Sequence, residues 1–156
     1  MTRVGLATLG SVVLVATLAA QAPPGTPAKA GQASFNLNGT PVTYARVDGS
    51  FTEGYGFHTI ALTYSKDGKP TGDNLAIGLM IQKPGAVDLN QMGNGIQVRV
   101  GGTIFSYKKG KSQCTITVTD LTATSVTGTA ECPVLNELNG SRKQSLGSVK
   151  FAASTK

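Results

Sequence analysis

Residues 114–132 read CTITVTDLTATSVTGTAEC, a stretch that begins and ends with the only two cysteines of the chain. Threonines alternate with apolar residues on both sides of a short polar break near residues 122–124. A period of two is typical of β-strands with one buried face, and two such runs joined by a short break indicate a β-hairpin. This hairpin is the starting point for the predicted fold.

The two cysteines fix the predicted register of the hairpin. Placing Cys114 opposite Cys132 gathers the apolar side chains on the face that carries the sulfurs, whereas a slip of one residue would mix apolar and threonine positions. The other opposed pairs are then Ile116 with Ala130, Val118 with Gly128, and Asp120 with Val126. The opposite face carries Thr115, Thr117, Thr119, Thr127 and Thr129.

We expect Cys114 and Cys132 to form a disulfide, because thiols of exported proteins are normally oxidised. On the chain-entropy account, closing a loop of this length stabilises the fold by about 3 kcal/mol. A redox-active pair would require C-x-x-C spacing or a neighbouring base, and the sequence around these cysteines has neither feature.

The first 22 residues have the order of a secretory signal peptide. Arg3 precedes an apolar run that ends at Ala20-Gln21-Ala22, and no cysteine follows it that could be lipid-modified. Residues 23–32 are rich in Pro, Gly and Ala and are predicted to be a flexible tether. The remainder, 33–156, is expected to be a single β domain, secreted or periplasmic, with no transmembrane span after leader removal.

Apolar runs alternate with turn residues throughout that domain. This spacing predicts an all-β fold, an antiparallel β-sandwich or flattened barrel of about eight or nine strands with one disulfide. The predicted strands are 33–38, 41–47, 56–65, 74–82, 95–100, 103–108, 113–121, 125–132 and 146–153. Asn38-Gly39 and Gly101-Gly102 are suited to two-residue hairpin turns. The nearly all-apolar run 74–82 is expected to be covered on both faces or screened by a loop.

Charge and composition argue against several classes of partner. The formal net charge is +6 and only 14% of residues are charged. The longest basic cluster, Lys108, Lys109 and Lys111, surrounds Gly110 and is interpreted as a solvated hairpin tip, so nucleic-acid binding is not expected. We also predict a monomer that needs no cofactor.

His58 is the one histidine of the chain. It shares a strand face with Ile60 and Leu62, which favours a partly buried structural role over a general base or metal ligand. One histidine without a spare cysteine does not make a zinc site, so we predict no metal site and no catalytic residue. Residues 67–74 contain several oxygen-bearing side chains but lack the spacing of a calcium-binding loop, and an ordinary turn is expected there.

Tyr55 is the most suggestive candidate for ligand binding. The chain has no tryptophan, and the glycines on both sides of Tyr55 would display its ring on a mobile loop. The competing interpretation is an aromatic ring packed over a sheet edge. Glu53, Tyr55 and His58 are the residues we predict to contact a ligand.

The segments ASFNLNGTPVTYARVDGSF, PGAVDL and the closing hairpin are similar to a group of bacterial secreted and lipid-anchored β domains of unknown function. The positions that match are Phe35, Asn38, Gly39, Pro84, Gly85, Leu89, Val126, Gly128, Thr129 and Phe151. The resemblance implies the fold, but it brings no catalytic residues to this chain. Because the leader lacks a cysteine, the chain differs from the lipid-anchored members.

Together these observations predict a non-catalytic envelope or extracellular module. It would bind an envelope, glycan or protein ligand through the loops 49–56, 66–74 and 83–94. Two alternatives stay open at this point: a small secreted hydrolase that uses His58 with nearby acids, and a purely structural surface protein.

Overall fold

The computed structural model of the protein describes residues 25–69 and 71–156, so the predicted signal peptide lies outside the described residues. The described residues form twelve β-strands and no helix. The strands are β1 (Thr26–Pro27), β2 (Ala30–Leu37), β3 (Thr40–Tyr44), β4 (Arg46–Gly54), β5 (Phe57–Ser65), β6 (Asn74–Ile81), β7 (Gly85–Ala86), β8 (Gly95–Val100), β9 (Thr103–Ser106), β10 (Gln113–Thr122), β11 (Ser125–Glu137) and β12 (Lys143–Ser154).

All neighbouring strands are antiparallel, and they form one sheet that does not close on itself. The strand order is β1-β4-β5-β6-β8-β9-β11-β12-β2-β3, and β10 pairs with β11 on one side and with the short β7 on the other. The all-β antiparallel prediction is therefore confirmed. The described residues contain more strands than the eight or nine that the sequence predicted.

The apolar faces of the strands form one core cluster. Tyr64 on β5 is fully buried, and its hydroxyl donates a hydrogen bond to the carbonyl oxygen of Ala152 on β12 at 3.1 Å. Burial raises the pKa of the Tyr64 phenol far above its ordinary value. Two strands that are distant in the strand order thus meet through this tyrosine.

The β10–β11 hairpin follows the predicted register over most of its length. Ile116 pairs with Ala130 and Val118 with Gly128, and the apolar members of the hairpin are buried while most of its threonines face outward. The predicted pairing of Asp120 with Val126 is wrong, because a register shift follows Val118 and places Asp120 opposite Thr127. Such a bulge adds one residue to one strand. The alternation of the sequence is interrupted at this point, because Asp120 stands where an apolar residue is expected and the next apolar residue is Leu121, which pairs with Val126.

Cys114 and Cys132 form the predicted disulfide, with their Cα atoms 4.1 Å apart. The β10–β11 ladder has a second register shift between Gln113 and Thr115, and next to the cysteines Thr115 pairs with Glu131. The bond therefore joins two positions that the hairpin already brings together, and Cys132 is fully buried in the core.

Each of the nine predicted strands overlaps an observed strand, but β4 was missed. Residues 49–56 were predicted to be a ligand-binding loop, whereas residues 46–54 form a strand that pairs with all of β5. Gly49 and Gly54 break the apolar alternation, so the sequence signal for a strand is weak there. A side chain at Gly49 would collide with the carbonyl oxygen of Ala61 on β5, so the glycine permits close approach of the two strands.

Part of the predicted tether also lies in the sheet. Residues 26–27 form β1 on the edge of β4, and β2 begins at Ala30 instead of residue 33. Between them, the amide of Ala28 donates to the carbonyl oxygen of Gly49 at 2.9 Å, and the amide of Lys29 donates to that of Ser154 at 2.8 Å. We call residues 25–29 the N-terminal clasp, because they join the β4 edge to β12.

The β3 edge has no partner strand among the described residues. Around the two-residue turn Asn38-Gly39, the closing pair Leu37–Thr40 is hydrogen-bonded, so the backbone nitrogen of Pro41 in the next pair points outward. Proline has no N–H to donate, and this removes one donor from the exposed edge.

Candidate functional site

The β4–β5 hairpin carries all three residues that the sequence proposed for ligand binding. Nine consecutive residue pairs, from Arg46–Ser65 to Gly54–Phe57, join the two strands without a register shift. The strands are connected by the two residues Tyr55 and Gly56. Tyr55 therefore lies at the tip of a regular ribbon, not on the mobile loop that the sequence predicted.

The backbone of this turn is unusual for the residue it contains. Tyr55 has φ 54° and Gly56 has φ 77°. Positive φ at both central residues defines a type I′ turn, which strongly favours Asn-Gly, Asp-Gly and Gly-Gly. A bulky side chain in this region is uncommon, and such outliers persist where the surrounding structure imposes them.

Two other hairpins of the chain show what the turn normally requires. Asn38-Gly39 has φ values of 48° and 84°, and Gly101-Gly102 has 55° and 81°. All three turns therefore share one backbone conformation. Only the β4–β5 turn places an aromatic residue in a position that asparagine or glycine would fill at lower cost.

The Tyr55 side chain is fully exposed, with a relative accessibility of 104%. The other three tyrosines differ from it: Tyr44 and Tyr64 are buried in the core, and Tyr107 is half-buried. The glycines next to Tyr55 contribute no side chains that could cover its ring. The alternative that Tyr55 packs over a sheet edge is therefore wrong.

Glu53 and His58 are opposite each other in the second residue pair below the turn, after the closing pair Gly54–Phe57. Both lie on the side of the hairpin that is buried further along at Phe51 and Ile60, so they are at the end of the core. His58 is half-buried and Glu53 is exposed. The structure thus brings the three predicted ligand residues together within one short hairpin end.

A shallow cavity of about 290 Å³ adjoins the hairpin end. Its lining combines apolar side chains, among them Phe57, Met80 and Pro84, with the polar side chains of Asp88 and Gln91. Phe57 and Met80 were not predicted as ligand residues, because they lie within the predicted strands 56–65 and 74–82 and belong to no binding motif. A β4–β5 ladder would have placed Phe57 beside the tip.

Residues 82–94 form the far wall of this cavity and are held to the edge of β6. The side-chain oxygen of Asn94 accepts a hydrogen bond from the amide of Met80 at 2.5 Å, and its amide group donates to the carbonyl oxygen of Asp88 at 2.9 Å. The loop also screens part of the outer face of β6, where residues 76, 78 and 80 are half-buried. The apolar run 74–82 was predicted to be either covered on both faces or screened by a loop, and a loop lies over part of its outer face.

Two acidic side chains of the predicted loop 66–74 accept hydrogen bonds from backbone amides. Asp67 accepts a hydrogen bond from the amide of Lys69 at 3.1 Å, and Asp73 accepts one from the amide of Gly101 at 2.8 Å. Across residues 25–69 and 71–156, no group of three or more His, Cys, Asp or Glu side chains is arranged to hold a metal ion. These contacts support the ordinary turn expected there.

One lysine of the basic cluster near Gly110, Lys108, has a structural role. The ammonium group of Lys108 donates to the carbonyl oxygens of Glu137 and Leu138, at 2.7 and 2.9 Å. Lys109 and Lys111 are exposed. The cluster is therefore divided between one lysine that ties two loops together and two that face the solvent.

Comparison with protein families, curated proteins and solved structures finds no match to this chain. The resemblance to secreted bacterial β domains therefore stays a prediction. In the part of the chain that the structure describes, no helix has the length and apolar character needed to cross a membrane. The function has to be inferred from the geometry of the β4–β5 hairpin end.

Proposed function

We propose that the protein is an exported, non-catalytic binding module that docks a protein partner through the Tyr55 hairpin end. The observation that carries the proposal is a fully exposed tyrosine in a left-handed backbone conformation, at a turn where the chain elsewhere uses asparagine or glycine. Unfavourable backbone conformations concentrate at functional sites. Asparagine or glycine would fill this position at lower backbone cost, so the exposed tyrosine is better explained by a contact that its side chain makes with a partner.

The hairpin presents the ring at low entropic cost. Tyr55 has only two side-chain torsions, and the nine-pair ladder below it holds the backbone in one conformation. Rigid tyrosines that enter a desolvated pocket are among the commonest energetic centres of protein interfaces, and their truncation typically costs 2 kcal/mol or more. The cavity that adjoins the start of β5 at Phe57 supplies additional apolar surface, two residues along the chain from Tyr55.

A protein partner suits this geometry better than a glycan. Glycan-binding faces rely on exposed rings against which successive sugars stack. Among the tyrosines, only Tyr55 is exposed, so the chain offers a single projecting ring instead of a row. A projecting ring requires a partner that supplies a pocket.

The proposed location outside the cytoplasm rests on two observations. The disulfide Cys114–Cys132 suits an oxidising compartment, and residues 1–22 have the pattern of a signal peptide. A two-layer sandwich remains our proposal for how the open sheet folds over its core, supported by the contact between Tyr64 and Ala152.

A second candidate function is a small hydrolase that uses His58. The register places Glu53 opposite His58, so a carboxylate lies on the neighbouring strand across from the histidine that would act as the general base. If an esterase, amidase or glycosidase activity is detected, His58→Ala should abolish it. Unchanged activity in that variant would remove this candidate.

The docking proposal is tested by site-specific crosslinking in the producing cells. A photoreactive phenylalanine derivative placed at position 55 should crosslink to one defined protein, whereas the same group at position 38 should not. The identified partner is then purified, and its binding is measured by calorimetry. We expect Tyr55→Ala to weaken binding at least 30-fold, which corresponds to about 2 kcal/mol, and Asn38→Ala to leave it unchanged. Equal affinities for both variants would overturn the proposal.

A further inference from the structure

The outer edge of β4 is occupied by the chain's own N-terminal clasp. Because the closing pair Gly54–Phe57 is hydrogen-bonded across the turn, the alternation along the ladder directs the N–H and C=O groups of Gly49 and Phe51 away from β5. The clasp meets these groups: Thr26 lies opposite Phe51, and the amide of Ala28 donates to Gly49.

The clasp sequence matches the requirements of this edge position by position. Pro27 lies opposite Ser50, whose backbone groups bond to β5, so no N–H is needed there. A Cβ atom at Gly25 would lie 2.5 Å from the hydroxyl oxygen of Thr52 and 3.0 Å from the Cβ atom of Ser50. The edge therefore accepts glycine opposite Thr52 and tolerates proline opposite Ser50.

Few side-chain contacts hold the clasp in place. Thr26, Pro27 and Lys29 are exposed, and Ala28 alone is a partly buried apolar side chain packed against the core. From Ala33 onward, by contrast, β2 contributes fully buried residues. Segments with little burial open locally at lower free energy than the core.

We propose that the β4 edge is a binding edge for an extended peptide segment of a partner protein, and that the clasp occupies it in the free chain. The partner segment adds to the sheet as an antiparallel strand. It carries glycine opposite Thr52 and a small side chain three positions later, the pattern Gly-x-x-small of residues 25–28. The clasp lowers the apparent affinity by competing for the edge.

This inference is independent of the Tyr55 proposal, and it is tested with the full chain. The probe is a fluorescent peptide with the sequence APPGTPAKA, which reproduces residues 22–30. Gly25→Val loosens the clasp through its collision with Thr52. The pair Pro27→Cys and Ser50→Cys locks it, because these two residues are direct register partners whose backbone groups point away from each other, and such pairs have Cα atoms close enough for a disulfide.

We expect Gly25→Val to bind the peptide at least about tenfold more tightly than the unchanged chain. The oxidised double-cysteine variant should not bind it, and a peptide with valine in place of its glycine should bind to none of the proteins. Tyr55→Ala should leave peptide binding unaltered. Absence of binding to a folded Gly25→Val protein, or equal binding to loosened and locked proteins, would overturn the inference.

Hydrogen exchange on the unchanged chain provides a second measurement that does not depend on the folding of a variant. If the clasp is exchangeable, the amides of Ala28 and Lys29 exchange by local opening, faster than the amides of Ile60 and Leu79 in the central strands. Exchange of all four amides at the rate of global unfolding would show that the clasp does not leave the edge.

Discussion

The hairpin tips at Asn38 and Tyr55 have the same backbone conformation, but the Asn38 side chain is bonded to a neighbouring strand and the Tyr55 side chain is exposed to solvent. The side-chain oxygen of Asn38 accepts hydrogen bonds from the amide and the hydroxyl of Ser145, at 3.1 and 3.2 Å, and so attaches the β2–β3 tip to β12. The Tyr55 ring is fully exposed. The difference shows that the turn geometry does not require tyrosine, and that a structural role for the side chain is fulfilled only at Asn38.

The largest expected effect tests whether both tips depend on one scaffold. Replacing Cys114 and Cys132 together by alanine should lower the free energy of unfolding by about 3 kcal/mol. Denaturant unfolding measures this change, and the unchanged protein under reducing conditions is the control. Because the Tyr55 tip belongs to the β4–β5 hairpin and the disulfide joins β10 to β11, the folded variant should retain the affinity of the Tyr55 hairpin for its partner. A loss of affinity in the folded variant would contradict the separation of scaffold and tip.

The next effect separates the two tips directly. Asn38→Ala removes two hydrogen bonds to Ser145 and a residue suited to positive φ, so the free energy of unfolding should fall by about 1–2 kcal/mol. Tyr55→Ala removes an exposed side chain and should change stability by less than about 0.5 kcal/mol. Parallel urea titrations provide the comparison. Equal destabilisation by the two substitutions would show that Tyr55 has a structural role.

A smaller effect of opposite sign is expected from Tyr55→Asn. Asparagine suits the first position of a type I′ turn, so this substitution should raise the free energy of unfolding by about 0.5–1 kcal/mol. The matched exchange, Asn38→Tyr, should lower it. If Tyr55→Asn is neutral or destabilising, the tyrosine does not impose the backbone cost that the docking proposal assumes.

These two tips also show how far the sequence was informative. Asn38-Gly39 carries its turn geometry in its residue types, and Cys114, Cys132 and the alternating threonines carry the pairing of β10 with β11. Tyr55-Gly56 has no such signature, and the glycines in β4 weaken its alternation, so a strand was assigned to a loop. The candidate residues Glu53, Tyr55 and His58 were selected from the sequence, but their alignment on one hairpin end depends on pairing that only the structure shows.

The third tip, Gly101-Gly102, has no side chain of its own. Next to it, Arg142 contacts Thr103 and Glu137. Arg142 donates to Thr103 at 2.8 Å and forms an ion pair with Glu137 at 2.7 Å. The hydrogen bonds and charge of Arg142 hold the pKa of Glu137 below its ordinary value. A carboxyl group whose pKa is lowered by folding stabilises the folded chain at pH values above its ordinary pKa. This stabilisation is lost as the pH falls through the lowered pKa of the folded chain.

The smallest expected effect concerns this contact. A carbon NMR titration of the Glu137 carboxyl should give a midpoint below that of an ordinary glutamate, and Arg142→Gln should return it toward the ordinary value. Identical titration of Glu137 in both proteins would show that Arg142 does not stabilise the third tip.

The unequal burial of the four tyrosines has a practical consequence. The chain contains no tryptophan, so its ultraviolet emission comes from phenol rings alone, and two of these are enclosed in the core. Mild electrophilic reagents such as tetranitromethane should therefore modify Tyr55 first. The resulting nitrophenol would be a single chromophore at the hairpin end, whose absorbance reports contact with any surface that covers it.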